Sequence, residues 1–174
     1  MASRPLAVGD PAPLLTLPSG DGRTVTLADL RGQKVVLYFY PKDDTPGCTR
    51  EACSFRDDRS KFTKANAVIV GVSRDSPASH QRFAEKFHLT FPLLSDADAA
   101  VSKAYGVYKQ KSMYGRTYWG IERTTFLIDE QGRIAAIFPK VSVDGHSEAI
   151  LQTIGTPSRK AASPRRRTSV SARR

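Results

Sequence analysis

Cysteine is nearly missing from this chain, with only Cys48 and Cys53 among 174 residues, too few for a disulfide framework. Histidine is almost as scarce. His80, His88 and His146 do not combine with the two cysteines into a zinc-ligand spacing. No apolar run approaches the roughly 18 residues that a membrane-spanning helix requires, so a soluble protein is expected. The opening segment MASRPLAVGDPAP lacks the apolar core of a secretory signal, and no internal repeat is visible. Together these absences point to a cytoplasmic compartment, or a nuclear one in a eukaryotic cell. In reducing surroundings, neighbouring thiols are catalytic more often than structural.

Acidic residues are missing from the last sixteen positions, which hold Arg159, Lys160, Arg165, Arg166, Arg167, Arg173 and Arg174; of a net charge of +10, the body therefore carries only about +3. From Thr156 onward Val170 is the only large aliphatic residue, so residues 156–174 cannot offset their ordering entropy and are expected to be a disordered tail. Residues 1–155 are expected to form one domain, since hydrophobic residues at 40% and charged residues at 25% are ordinary for a globular chain.

Within that domain, strand-like and helix-like segments alternate. LLTL and RTVTL flank the turn Pro18 to Gly22, and VVLYFY (35–40) and AVIVGVS (67–73) are apolar enough for strands covered on both faces. Thr49 to Lys64 between them reads as a surface helix carrying Ala52, Phe55 and Phe62. A second helix is predicted from Ser76 as cap and Pro77 as first residue to Phe87. A short strand follows at Phe91 to Leu94, then a helix from Asp98 to Tyr105 ending at Gly106. Thr124 to Ile128 and Ile134 to Phe138 flank the turn Asp129 to Gly132 as a hairpin, and Ser147 to Ile154 forms a last helix. This order predicts an α/β fold with a mixed central sheet flanked by helices.

The segment Pro41 to Cys48 leaves a core strand and enters a helix, which puts Cys48 in or near the first helical turn. Unpaired N–H groups and the positive end of the helix dipole favour an anion there, and the thiolate is the nucleophilic form of cysteine. Thr45 offers a hydroxyl to the same pocket, and Pro46 and Gly47 fix a tight approach. Asp43, Asp44 and Glu51 would oppose a thiolate and are expected to point away. Lys42, Arg50 and Arg123 are the candidate cations, and spacing does not choose among them. Cys53 lies five residues beyond Cys48, about 7.5 Å along an intact helix and on roughly the opposite face. A disulfide between them requires local unwinding. We therefore expect a coupled switch in which Cys48 becomes a sulfenic acid, the helix start melts, and Cys53 closes the disulfide.

The run Tyr38 to Cys53, with its Thr-Pro-Gly-Cys-Thr core and a cysteine five residues on, resembles the active-site segment of peroxiredoxins of the bacterioferritin comigratory protein, or peroxiredoxin Q, type. The similarity continues through Arg82 to Lys86, Leu93 to Asp96, Tyr105 to Val107 and Arg123 to Asp129, covering roughly residues 5 to 154. The resemblance implies a thioredoxin-like fold, a peroxidatic Cys48, a resolving Cys53, and Thr45 and Arg123 as hydrogen-bonding partners of a hydroperoxide substrate. Arg123 is thereby preferred over Lys42 and Arg50. It also implies no metal, haem or flavin, a monomer, and thioredoxin or a similar dithiol protein as reductant.

The basic tail departs from the family pattern, and Trp119 stands where a smaller or polar residue is expected; it is read as a partly buried aromatic beside the site. A thioredoxin-like disulfide oxidoreductase would share the fold but normally carries two cysteines separated by two residues, whereas four residues separate them here. The tail also suggests weak nucleic-acid contact through its cations. The histidines fall outside the matched motifs, with no carboxylate partner visible in the sequence, and are read as surface or core fillers. Tyr38, Phe39 and Tyr40 are read as core strand residues, Tyr40 reaching toward the pocket wall.

Overall fold

The computed structural model describes residues 4–155, so the tail expected at 156–174 lies outside the described residues. Chain order is β1 (Thr16–Pro18), β2 (Thr24–Thr26), a 3-10 turn (Leu27–Leu30), β3 (Lys34–Phe39), α1 (Pro46–Lys64), β4 (Ala67–Ser73), α2 (Pro77–Phe87), β5 (Leu93–Ser95), α3 (Ala100–Ala104), β6 (Tyr108–Met113), β7 (Arg116–Ile121), β8 (Thr124–Ile128), β9 (Ile134–Phe138) and α4 (His146–Gly155).

The main sheet has five strands in the order β5-β4-β3-β8-β9. Strands β3, β4 and β5 run parallel, while β8 is antiparallel to β3 and β9 to β8. This is the mixed sheet expected from the sequence. The alternation of a strand divides β3 between two cores. Val35, Leu37 and Phe39 pack with Leu27, Tyr105, Ile121 and Phe126 on one face, whereas Val36, Tyr38 and Tyr40 pack with Ala52, Phe55 and Phe62 of α1, Phe83 of α2 and Ile150 of α4 on the other. Burial on both faces accounts for the unbroken apolar runs of β3 and β4.

The first helix begins earlier than its polar pattern indicated, at Pro46 in the first helical position, which suits a residue with no N–H to donate. Helix α2 starts where expected, with Ser76 Oγ accepting the Ser79 N–H at 3.1 Å. The helix expected over 98–105 is shorter, because the Asp96 carboxylate takes the N–H groups of Val101 and Ser102 and so sets a later start. The short strand near 91–94 is displaced to Leu93–Ser95, where it pairs with Gly71 to Ser73.

The β6–β7 hairpin was not anticipated. It forms a separate two-stranded sheet, and its mixture of lysines, glutamine and aromatics gave no clear apolar alternation. Trp119 stands on this hairpin at 58% exposure, which corrects the expectation of a partly buried aromatic; it stacks on Tyr108 with ring centroids 5.7 Å apart.

Candidate active site

Strand β3 ends at Phe39, and the connection through Pro41 to Thr45 delivers Cys48 to the third position of α1. No side chain caps this helix; Thr45 occupies the cap position, but its hydroxyl donates to the Lys42 carbonyl at 2.9 Å. The cysteine thus sits in the turn where helical N–H groups lack intrahelical partners. Cys48 is 2% exposed, and Cys53, on the same continuous helix, is half-buried; both thiols are free. The intact helix accordingly keeps the two apart.

The connection is fastened to α2 at two points. The Asp43 carboxylate accepts from the Tyr40 hydroxyl at 2.6 Å and the Ser79 hydroxyl at 2.8 Å, and lies 2.7 Å from His80 Nδ1. Next to it, Asp44 pairs with Lys86 at 2.8 Å. His80 is completely buried, and its Nε2 lies 3.0 Å from the Leu94 carbonyl. His80, read from the sequence as a surface or core filler, is a buried member of this cluster: its carboxylate partner lies 37 residues away in sequence, where no local pattern reveals it. Tyr40 reaches this cluster through its hydroxyl. His88 closes α2 in a left-handed conformation at the surface. His146 is buried against Thr125, and burial, aided by the charge of Arg123, pushes it down to about 4.

Of the three candidate cations, Arg123 is the one on the sulfur. It lies between β7 and β8, and its guanidinium approaches Cys48 Sγ at 3.1 Å through one terminal nitrogen and Glu51 Oε1 at 2.7 Å through the other. Gly47 makes room for it, since a Cβ there would lie 3.3 Å from Arg123 Nη2. Arg50 turns outward to Asp144 at 3.2 Å, and Lys42 is exposed.

Asp43 and Asp44 are engaged by α2, away from the sulfur, but Glu51 does not point away as expected. It is 1% exposed and shares Arg123 with Cys48. One helical turn separates Glu51 from Cys48 on the same face, a spacing visible in the sequence. Burial pushes the Glu51 carboxyl up to about 7, against the opposing pull of Arg123, and its second oxygen has no hydrogen-bond partner. A carboxyl poised there can hold or release a proton near neutrality. Among the described residues no group of three or more His, Cys, Asp and Glu side chains could hold a metal ion.

A buried cysteine at a helix start, with a guanidinium on its sulfur, is an arrangement that can support nucleophilic thiol chemistry, and comparison with known proteins gives the family of the chain. Residues 8–137 match the AhpC/TSA family. The chain is 57% identical over 141 residues to the Bcp peroxiredoxin of Coxiella burnetii, covering 81% of this chain and 93% of that one. The chain belongs to the AhpC/TSA family, in its Bcp/peroxiredoxin Q group. Peroxiredoxin Bcp of Bacillus subtilis is 48% identical over 155 residues, 89% of this chain and 99% of its own. The bacterioferritin comigratory protein of Xanthomonas campestris, whose structures address alkyl peroxide reduction in a trapped intermediate and ligand complexes, superposes with a TM-score of 0.78. It is 45% identical, covering 81% of this chain and 90% of that chain. Peroxiredoxins of this group are thiol peroxidases with a thioredoxin-like fold, and this chain is a member by sequence and architecture alike.

Two outcomes follow from the Arg123 bridge. Because Glu51 is raised in the folded state from 4.5 to about 7, the folded protein binds the extra proton and this group's stabilising contribution is lost as pH rises through that window. Denaturant titrations should show wild type losing stability relative to Glu51→Gln between those pH values, and a constant difference would contradict the assignment. Arg123→Met leaves Glu51 buried without its cation and should cost about 3–5 kcal/mol at pH 8. Adding Glu51→Gln should restore much of the stability but not the reactivity of Cys48.

Proposed function

We propose that this protein reduces hydroperoxides with Cys48 as the peroxidatic thiolate, Cys53 as the resolving thiol, and Arg123 and Thr45 as the groups that receive the peroxide. The observation that carries the reading is the 3.1 Å contact between the Arg123 guanidinium and Cys48 Sγ, which puts a fixed cation and hydrogen-bond donor on the sulfur where the substrate must arrive. Thr45, at the helix cap, is a neighbour able to turn its hydroxyl from the Lys42 carbonyl toward a bound oxygen.

In the first step the sulfur attacks the outer peroxide oxygen. An S–O bond forms, the O–O bond breaks, and the departing alkoxide or hydroxide takes up a proton, for which Glu51 is the nearest carboxyl paired with the same guanidinium. Sulfur is oxidised by two electrons and the peroxide is reduced to alcohol or water. In the second step the Cys53 sulfur attacks the sulfenic acid, an S–S bond replaces S–OH, and water leaves.

That second step requires the helix start to unwind. The uncapped first turn, with Gly47 in it, is the weak end of α1. Further along, Phe55 is fully buried and packs on Tyr38 at 4.7 Å between centroids. Melting therefore extends through Cys53 and stops near Phe55. The enclosure of Cys48 favours hydrogen peroxide or a slim alkyl hydroperoxide over bulky substrates. The disulfide is returned to two thiols by thioredoxin or a similar dithiol protein, in a cytoplasmic setting, and an intramolecular disulfide needs only a monomer. A weak nucleic-acid contact through the basic tail is a separate property that this chemistry does not require.

A coupled assay with thioredoxin, its reductase and NADPH tests the assignment. Cys48→Ser should consume no hydrogen peroxide or cumene hydroperoxide. Cys53→Ser should consume about one equivalent and then recycle poorly. Peroxide reduction independent of Cys48 would overturn it.

A further inference from the structure

The β6–β7 hairpin has no part in the chemistry above, yet it carries four of the six exposed large hydrophobic residues among those described: Met113, Tyr114, Tyr118 and Trp119. Its two-residue turn, Tyr114 and Gly115, takes positive φ values of 50° and 75°, as a tight antiparallel hairpin requires. The register sorts its side chains into two faces, because residues directly opposite each other point the same way. One face holds Tyr108 and Trp119 stacked together, with Arg74 5.2 Å and Lys103 5.6 Å from the Tyr108 ring centre, so its aromatic surface is partly covered from within the chain. The other face holds Lys109, Lys111, Met113, Arg116 and Tyr118, and no carboxylate lies anywhere between Tyr108 and Ile121.

The cationic face is joined to the redox centre. Lys111 donates to the Ile121 carbonyl and lies in the field of both Arg123 and Cys48, and two residues beyond β7 the chain reaches Arg123 itself. Lys109 is held to Glu122 at 2.7 Å, which leaves Arg116 and Tyr118 at the open end of the face.

We propose that this face of the hairpin is the docking surface for the dithiol protein that reduces the Cys48–Cys53 disulfide, and that it selects a partner with an acidic rim around an apolar centre. The proposal rests on the disulfide cycle proposed above. A protein reductant must bring its thiol to the disulfide, and the hairpin presents exposed apolar and cationic groups on a strand that ends two residues before Arg123, the residue in contact with Cys48. Tyrosine and arginine are the side chains that most often anchor interfaces, and the unbalanced positive charge steers an acidic partner toward them. Single-stranded nucleic acid is the weaker occupant, because the cationic face offers only Tyr118 as a stacking platform while Trp119 belongs to the opposite face.

The test uses the full chain with a preformed disulfide, comparing wild type with Arg116→Glu, Tyr118→Ala and, as an opposite-face control, Gln110→Glu. Reduction is followed with thioredoxin and separately with dithiothreitol, and oxidation by hydrogen peroxide is measured in parallel. Arg116→Glu and Tyr118→Ala should lower kcat/KM for thioredoxin about tenfold or more, mainly through KM. Rates with dithiothreitol and peroxide should hold, and Gln110→Glu should change little. Added salt should slow wild type with thioredoxin and affect Arg116→Glu less.

An unchanged thioredoxin rate overturns the proposal. So does a loss shared with dithiothreitol, an equal loss in Gln110→Glu, or a loss confined to oligonucleotide binding. If wild type forms no disulfide with peroxide, or neither thioredoxin nor dithiothreitol reduces it, the disulfide cycle itself fails. Normal thioredoxin turnover indifferent to the hairpin removes only the docking surface.

Discussion

The contact on which the rest of the site depends is that of one guanidinium with two partners. Arg123 touches the Cys48 sulfur and the Glu51 carboxyl at once, so sulfur, cation and a carboxyl raised toward neutrality by burial form one electrostatic unit. Its geometry needs the wound start of α1, because Cys48 and Glu51 meet the same guanidinium only when one helical turn separates them. The glycine at 47 leaves space beside the guanidinium, where a Cβ would sit tightly at 3.3 Å from Arg123 Nη2. The scaffold fixes the other side: β8 pairs with β3, so the residue just before β8 falls next to the end of the strand that leads to Cys48.

The two steps of the proposed cycle therefore make opposite demands on the same eight residues. Wound, residues 46–53 present the sulfur to Arg123; the proposed resolution needs them unwound so that Cys53 can reach it. Around this segment the structure is firmly fastened. Upstream, Asp43 and Asp44 tie the connection to α2, and downstream Phe55 and Phe62 are fully buried. Between those anchors lies an uncapped turn containing glycine. Local opening without loss of the fold is what this distribution of contacts allows.

Much of the fold was legible because its signals are local. The unbroken apolar runs of β3 and β4, the Ser76-Pro77 start of α2 and the β8–β9 hairpin could each be read within a few residues. The site was legible in part. The position of Cys48 at a helix start follows from the sequence around it, but the approach of Arg123 spans 75 positions, and only family resemblance singles it out from Lys42 and Arg50. Glu51 was misjudged although its spacing from Cys48 was in plain view, because a carboxylate near a thiolate was weighed without the cation between them. The Asp43–His80 pair and the β6–β7 hairpin were not foreseen, the first because it is purely tertiary, the second because its alternation is of charge and aromatic character rather than of burial.

The account stands on the claim that α1 is wound for attack and unwound for resolution. Amide hydrogen exchange over residues 46–55, in reduced protein and in protein oxidised with one equivalent of peroxide, measures this most directly. The account predicts that oxidation strips protection from this segment while β3, β4 and the later turns of α1 keep theirs. Equal protection in both states, with the Cys48–Cys53 disulfide present in the oxidised sample, would contradict it.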